Sequence, residues 1–195
     1  MGNATLVTGR TSQKGVDLFM FNKLSIRKIA FAGIVAAIYA ALTLALAPIS
    51  YGNVQFRIAE ALTILPFFFP VTLPGLFIGC IIANLFSPYG ILDVVAGSTA
   101  SLLAGLCTMY LGKINRESIV LKALACFPPV IFNAIIIGAV IAFTITSGDA
   151  QFWSTFLVFG LWVGFGQLVV LYCLGLPMMI YLPKTQLYKM LLEKL

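Results

Sequence analysis

The sequence predicts an all-α membrane protein of six transmembrane helices with both termini on the cytoplasmic side. Of its 195 residues, 61% are hydrophobic and only 9% charged, and the mean hydropathy is +1.06. A soluble domain carries about a quarter charged residues. A spanning helix takes ~20 apolar residues, so the chain has room for about six spans and no soluble domain. The basic residues also sort to one side when six spans are drawn, as the cytoplasmic bias of Lys and Arg requires.

Each element follows from local signals. Residues 1–22 have no periodic apolar face and read as a tail, leaving 23–195 as a single six-helix domain. The first span covers about 26–47, after Lys23, Arg27 and Lys28. Ala45-Leu46-Ala47 mimics a cleavage site, but the apolar run exceeds that of a signal peptide. From 59 to 86 the chain is almost wholly apolar yet carries Pro66, Pro70 and Pro74. Proline removes a helical N–H and clashes with the preceding turn, so two short helices, about 59–69 and 73–86, are expected around a turn. Later spans cover about 91–111, 120–145 and 152–182, the last interrupted near Pro177.

Charge tests this count. With six spans and both termini inside, eleven of the twelve basic residues fall on the cytoplasmic side, and only Arg57 lies outside. A single span over 59–86 would carry the loop from Lys113 to Lys122 outward and spoil the pattern.

Composition limits the chemistry as well. Histidine is absent, which removes the commonest general base and metal ligand. The four cysteines stand singly in apolar stretches, without metal or disulfide spacing. The chain also lacks a P-loop, a G-x-S-x-G elbow and an H-E-x-x-H pair. An enzyme is not expected, and neither is a metal. The net charge of +6 comes from scattered basic residues, which suits orientation in a bilayer better than a nucleic-acid face.

Small residues recur every fourth position. Ala32, Ala36 and Ala40 line the first helix, with Gly33, Ala37 and Ala41 beside them. Such rows let helices approach closely, within the chain or against a separate membrane subunit. Gly75/Gly79 and Gly160/Gly164 repeat the spacing, and there packing within the chain is expected.

Polar residues gather toward the external end: Tyr51, Gln55, Arg57 and Glu60 after the first span, then Asn84 and Asp93, while Asn133 lies about halfway along the fifth span and Trp162 and Gln167 lie along the sixth. Ionisable groups inside spans cost ~2.5–3.5 kcal/mol by insertion scales and usually face a cavity or the bundle interior. Glu60 and Asp93 are therefore candidate ligand residues. Two structural readings stand beside this one: an i,i+3 ion pair between Arg57 and Glu60, and Asp93 acting on the dipole of a helix start.

The runs from Gln55 to Pro66 (QFRIAEALTILP) and from Pro74 to Pro88 (PGLFIGCIIANLFSP) closely resemble the QueT family. Members of that family are substrate-binding S components of energy-coupling-factor (ECF) transporters that take up queuosine precursors. The resemblance covers about 23–184. It implies an S-component-like bundle in the bacterial cytoplasmic membrane, with a pocket that opens outside. It also implies a transmembrane T subunit docking on Ala32, Ala36 and Ala40, and two ATPase subunits that use ATP. No cofactor is expected in this chain.

A 7-deazaguanine suits the residues. Its N1–H and exocyclic NH₂ can donate side by side to one carboxylate, for which Glu60 is the first choice. Asp93 could meet a cationic 7-aminomethyl group. Asn84, Asn133 and Gln167 could serve the ring carbonyl and nitrogens, and Tyr51, Phe56 or Trp162 could stack. Another vitamin-like ligand, a self-sufficient secondary transporter or channel, or an assembly protein without a ligand remain alternatives. No inverted repeat and no midplane carboxylate favours the secondary transporter.

Overall fold

The computed structural model describes residues 26–52, 54–147 and 149–195. Their regular structure is helical, with no strand among them. The elements are α1 (Ile26–Ala45), α2 (Ala47–Ser50), a 3₁₀ segment (Ile58–Ile64) running into α3 (Leu65–Phe68), and α4 (Leu73–Asn84). They continue with α5 (Ile91–Ile114), α6 (Ile119–Ala125), α7 (Phe127–Thr146), α8 (Phe152–Val170), α9 (Leu176–Tyr181) and α10 (Gln186–Lys194). The tail at 1–22 lies outside the described residues.

Among the described residues, four helical stretches are long and apolar enough to cross a membrane: Ile26–Ala45, Ile91–Ile114, Ile119–Thr146 and Phe152–Lys184. Ile58–Phe68 and Pro70–Asn84 are apolar but shorter, and at 1.5–2 Å of rise per residue each falls below the ~30 Å hydrocarbon core. The outward surface is apolar, with Ile34, Ile38, Leu103, Leu161 and Phe165 all exposed.

The three prolines act as expected. Pro66 and Pro74 each occupy the first turn of a helix, where a missing N–H costs nothing. Pro70 opens the short turn between the two helices. Two interruptions differ from expectation. The stretch 120–145 breaks at Cys126, because Pro128 and Pro129 start a new helix. Pro177 does not break the last helix: the π-helical turn Leu171–Gly175 before it absorbs the mismatch and the chain stays helical.

Close contacts order the segments. Gly75 packs on Ala32 and Gly79 on Ala36, so α4 runs parallel to α1. Gly97 meets Asn84 and Gly105 meets Leu73, so α5 runs antiparallel to α4. Gly138 against Gly160 joins α7 to α8, the most extensive pairing in the bundle. A Cβ at either of those two glycines would press into the facing backbone, which is why small residues stand there.

The two ends of the described chain meet. Phe31 packs edge-on against Phe69, and Tyr188 of α10 packs on Phe68 and Phe69. This end encloses a core of Ile64, Phe67, Leu171 and Met179. The opposite end holds the polar residues.

Candidate ligand-binding site

After α1 the chain turns at α2, and residues 54–57 lead into the 3₁₀ segment. Gln55 adopts φ +49°, a left-handed conformation that costs a non-glycine residue ~1–2 kcal/mol. Its amide N–H donates to the Gly52 carbonyl and its carbonyl accepts from the Arg57 N–H. On α8, Gly166 lies directly against the backbone of Val54 and Gln55, where a Cβ would collide. The strained turn is thereby clamped, and it delivers Arg57 inward at 2% exposure.

Arg57 lies between two carboxylates. Its Nη1 is 4.0 Å from Glu60 Oε1, and its Nη2 is 3.9 Å from Asp93 Oδ2. Glu60 and Asp93 are completely buried. The expected Arg57–Glu60 pair therefore exists, but as one side of an enclosed three-charge cluster. Asp93 sits in the first turn of α5, yet no side chain caps that helix, and both Asp93 carboxylate oxygens lack a hydrogen-bond partner among the described residues.

Glu60 is held by Tyr39 of α1, whose hydroxyl donates to Oε1 at 2.6 Å. Tyr39 also stands 3.7 Å from Cys80 Sγ, and Cys80 in turn meets Ser101 Oγ and Asn84 Nδ2 at 3.3 Å each. Asn84 Nδ2 further donates to the Asp93 carbonyl at 3.1 Å. Asn133 and Ser101 lie beside the Glu60 carboxylate, but among the described residues neither Glu60 Oε2 nor Asn133 Nδ2 reaches a partner in hydrogen-bonding geometry.

Of the residues picked out in the sequence, Arg57, Glu60, Asp93, Asn84 and Asn133 converge. Gln55 and Gln167 are buried nearby, with Gln55 Nε2 and Gln167 Oε1 unpartnered. Tyr51 takes a supporting place: its hydroxyl donates to the Ala83 carbonyl at 2.6 Å, and Arg57 lies over its ring at 5.4 Å. Trp162 is a correction. It is 51% exposed on the outer face of α8, because the inward stripe of that helix runs through Val163 and Gln167. Phe56 is engaged edge-on with Phe165.

Tyr39, Cys80 and Ser101 were not picked out. A tyrosine inside an apolar helix is a legible signal, since a buried hydroxyl needs a partner. A cysteine and a serine among apolar residues carry none.

The row proposed for docking divides. Ala32 and Ala36 line an apolar groove of about 260 Å³ between α1 and α4, together with Gly33, Gly75 and Ile78. Ala40, as buried as Ala36, lies one turn beyond the residues that line it. Gly33 is exposed with open space around it.

Unpartnered buried polar atoms are costly. Here Arg57, Glu60, Asn84, Asp93, Asn133, Gln55 and Gln167 all carry them, at the end of the bundle remote from the ends of the described chain. Among the described residues no group of three or more His, Cys, Asp or Glu converges as a metal would require. Donors and acceptors of this mixture can meet a small polar molecule. A multi-helix membrane protein with such an enclosed polar cluster is of the small-molecule transport class. A family model described as QueT transporter matches residues 29–184, and the chain belongs to the QueT transporter family. The queuosine precursor transporter QueT of Lactococcus lactis subsp. cremoris (strain MG1363) is 40% identical over 72 residues, a stretch covering 36% of this chain and 42% of that relative. No solved structure matches.

Proposed function

We propose that the chain is the substrate-binding S component of an ECF importer in the bacterial cytoplasmic membrane. Its cargo is a queuosine precursor, a 7-deazaguanine base such as pre-queuosine base or queuine. The observation that carries this reading is the convergence of Glu60, Asn84, Asn133 and Arg57, all buried and all with unpartnered polar atoms. Glu60 accepts the N1–H and exocyclic NH₂ of the guanine edge, with Tyr39 orienting the carboxylate. Asn84, Asn133 and Gln167 serve the ring carbonyl and nitrogens.

Because these groups are sealed, a ligand reaches them only when 51–57 lifts away from α8. Binding then closes the segment over the base. The chain has no P-loop, so energy comes from outside it. Two cytoplasmic ATPase subunits and a T subunit supply it, the T subunit packing into the groove at Ala32, Gly33 and Ala36. The chain crosses six times with both termini inside, the two short helices between Ile58 and Asn84 counting as two passes.

Titration calorimetry of the purified chain with pre-queuosine base and queuine tests this. Glu60→Gln keeps the shape but turns one acceptor into a donor facing the ligand's donors. At ~1.5–3 kcal/mol per charged hydrogen bond, affinity should fall at least tenfold and up to about a thousandfold. Near-native affinity in Glu60→Gln for both ligands removes Glu60 from the site. The isolated chain should bind without hydrolysing ATP, and turnover by a homogeneous preparation would sink the S-component assignment.

A further inference from the structure

The last helix is unlike the spans. α10 follows the span-length stretch Phe152–Lys184 and packs Tyr188 on Phe68 and Phe69. Lys28, near the start of α1, lines a cavity of about 280 Å³ there with Phe69, Leu192 and Leu195. An element at the point where one span starts and another ends lies at the level of the lipid headgroups. Its side chains divide into three stripes. Tyr188, Leu191 and Leu195, spaced i, i+3 and i+7, pack on the core of that end. Leu187, Met190 and Lys194 repeat the spacing one position earlier and are exposed. Lys189 and Glu193 occupy the side opposite the core. The exposed apolar pair thus lies beside the bundle contact, between Lys194 and Lys184, whose Nζ stands 5.5 Å from the exposed Tyr181 ring. From Lys184 to Lys194 there are three lysines and one glutamate, none of them in an ion pair among the described residues.

We propose that α10 is an interfacial helix that gathers anionic phospholipid: Leu187 and Met190 enter the acyl boundary, while Lys184 and Lys194 take lipid phosphates. Two apolar side chains cover far less than the ~800 Å² that a stable protein partner needs on each side. A short apolar stripe flanked by lysines is instead what an interfacial helix presents to a negatively charged leaflet. The lysine stems lie along the acyl boundary and lift their ammonium groups to the phosphates, and Tyr181 sits at the same level, as aromatic belt residues do. The inference is independent of what the polar cluster at the other end of the bundle binds.

A fluorophore such as NBD on a single cysteine reads the depth of each face in the full chain, reconstituted in lipid nanodiscs. Cys107→Ala and Cys173→Ala remove the exposed thiols and leave the buried Cys80 and Cys126 in place. In this background a probe at Met190→Cys should be quenched by lipids brominated on the acyl chain, and a probe at Lys189→Cys should not. In discs of mixed phosphatidylcholine and phosphatidylglycerol, brominated phosphatidylglycerol should quench the Met190 probe about fivefold more strongly than brominated phosphatidylcholine at the same mole fraction. Lys184→Gln with Lys194→Gln, or high salt, should abolish that preference. Equal quenching by the two lipids overturns the anionic selection. Quenching at both faces alike, or at neither, overturns the interfacial placement, and a Met190 probe left in water is the result expected of a face kept for a soluble partner. The unaltered chain gives a check without labels: in native mass spectrometry from the mixed discs it should retain phosphatidylglycerol over phosphatidylcholine, and equal retention overturns the proposal.

Discussion

Tyr39 shows how much one hydroxyl decides. It joins α1 to Glu60 through a 2.6 Å bond in a fully buried setting, where removal of the donor leaves a carboxylate oxygen short of a partner. Tyr39→Phe should therefore weaken deazapurine binding by about tenfold, at ~1.5–3 kcal/mol for a bond to a charged group, with the helical circular-dichroism spectrum retained. Unchanged affinity would mean that Tyr39 does not orient the site. Arg57 carries a larger structural load. As an exposed i,i+3 partner it would contribute ~0.3–0.5 kcal/mol, but it stands between two buried carboxylates. Arg57→Gln should cost about 3–5 kcal/mol, read as a drop in the detergent melting temperature of the ligand-free chain. A shift too small to resolve would show that the enclosed cluster does not depend on Arg57.

At the scale of elements, the site hangs on a clamp between a strained turn and a glycine. Gly166 of α8 admits the Val54–Gln55 backbone, and Gln55 holds a left-handed φ of +49° that the turn has to maintain. Gly166→Ala should push the 51–57 segment off α8 and accelerate ligand dissociation, measured by stopped-flow fluorescence. An unaltered dissociation rate would show that this contact does not hold the segment closed. The hairpin between Ile58 and Asn84 was legible from three prolines, because each has a fixed place at a helix start. The π-helical turn ahead of Pro177 was not, since a helix can absorb a proline when its neighbours keep it packed. Nor was α10, whose alternation of Leu187, Tyr188, Met190 and Leu191 with Gln186, Lys189 and Glu193 is too short to stand out beside the spans.

For the whole molecule, the meeting of both ends of the described chain accords with termini on one side of the bilayer. The loops make this testable. A cysteine at Gln151, on an otherwise cysteine-free background, should react with an impermeant maleimide in intact cells. A cysteine at Arg116 should react only after the membrane is opened. The reverse pattern would overturn the proposed orientation. The α1–α4 groove gives a second test at this scale. Gly33→Trp fills open space remote from Glu60, so it should block recovery of the T subunit while leaving deazapurine binding intact. Normal co-purification would move docking elsewhere.

The sequence by itself determined the class of the protein, the positions of its apolar segments and most of its polar residues. Hydropathy, proline positions and the cost of charge in a bilayer are local or additive quantities, and they can be read without knowing what touches what. The resemblance of residues 55–66 and 74–88 to QueT proteins belongs with them. Only the tertiary structure decided which of those polar residues converge. Helix rotation and the rise between segments are set by packing of facing helices, through pairs such as Gly75 on Ala32 and Gly138 on Gly160. That packing brought Tyr39, Glu60, Cys80 and Ser101 from four segments into contact and turned Trp162 outward. It also made Arg57, which reads in the sequence as a loop cation, the buried centre of two carboxylates.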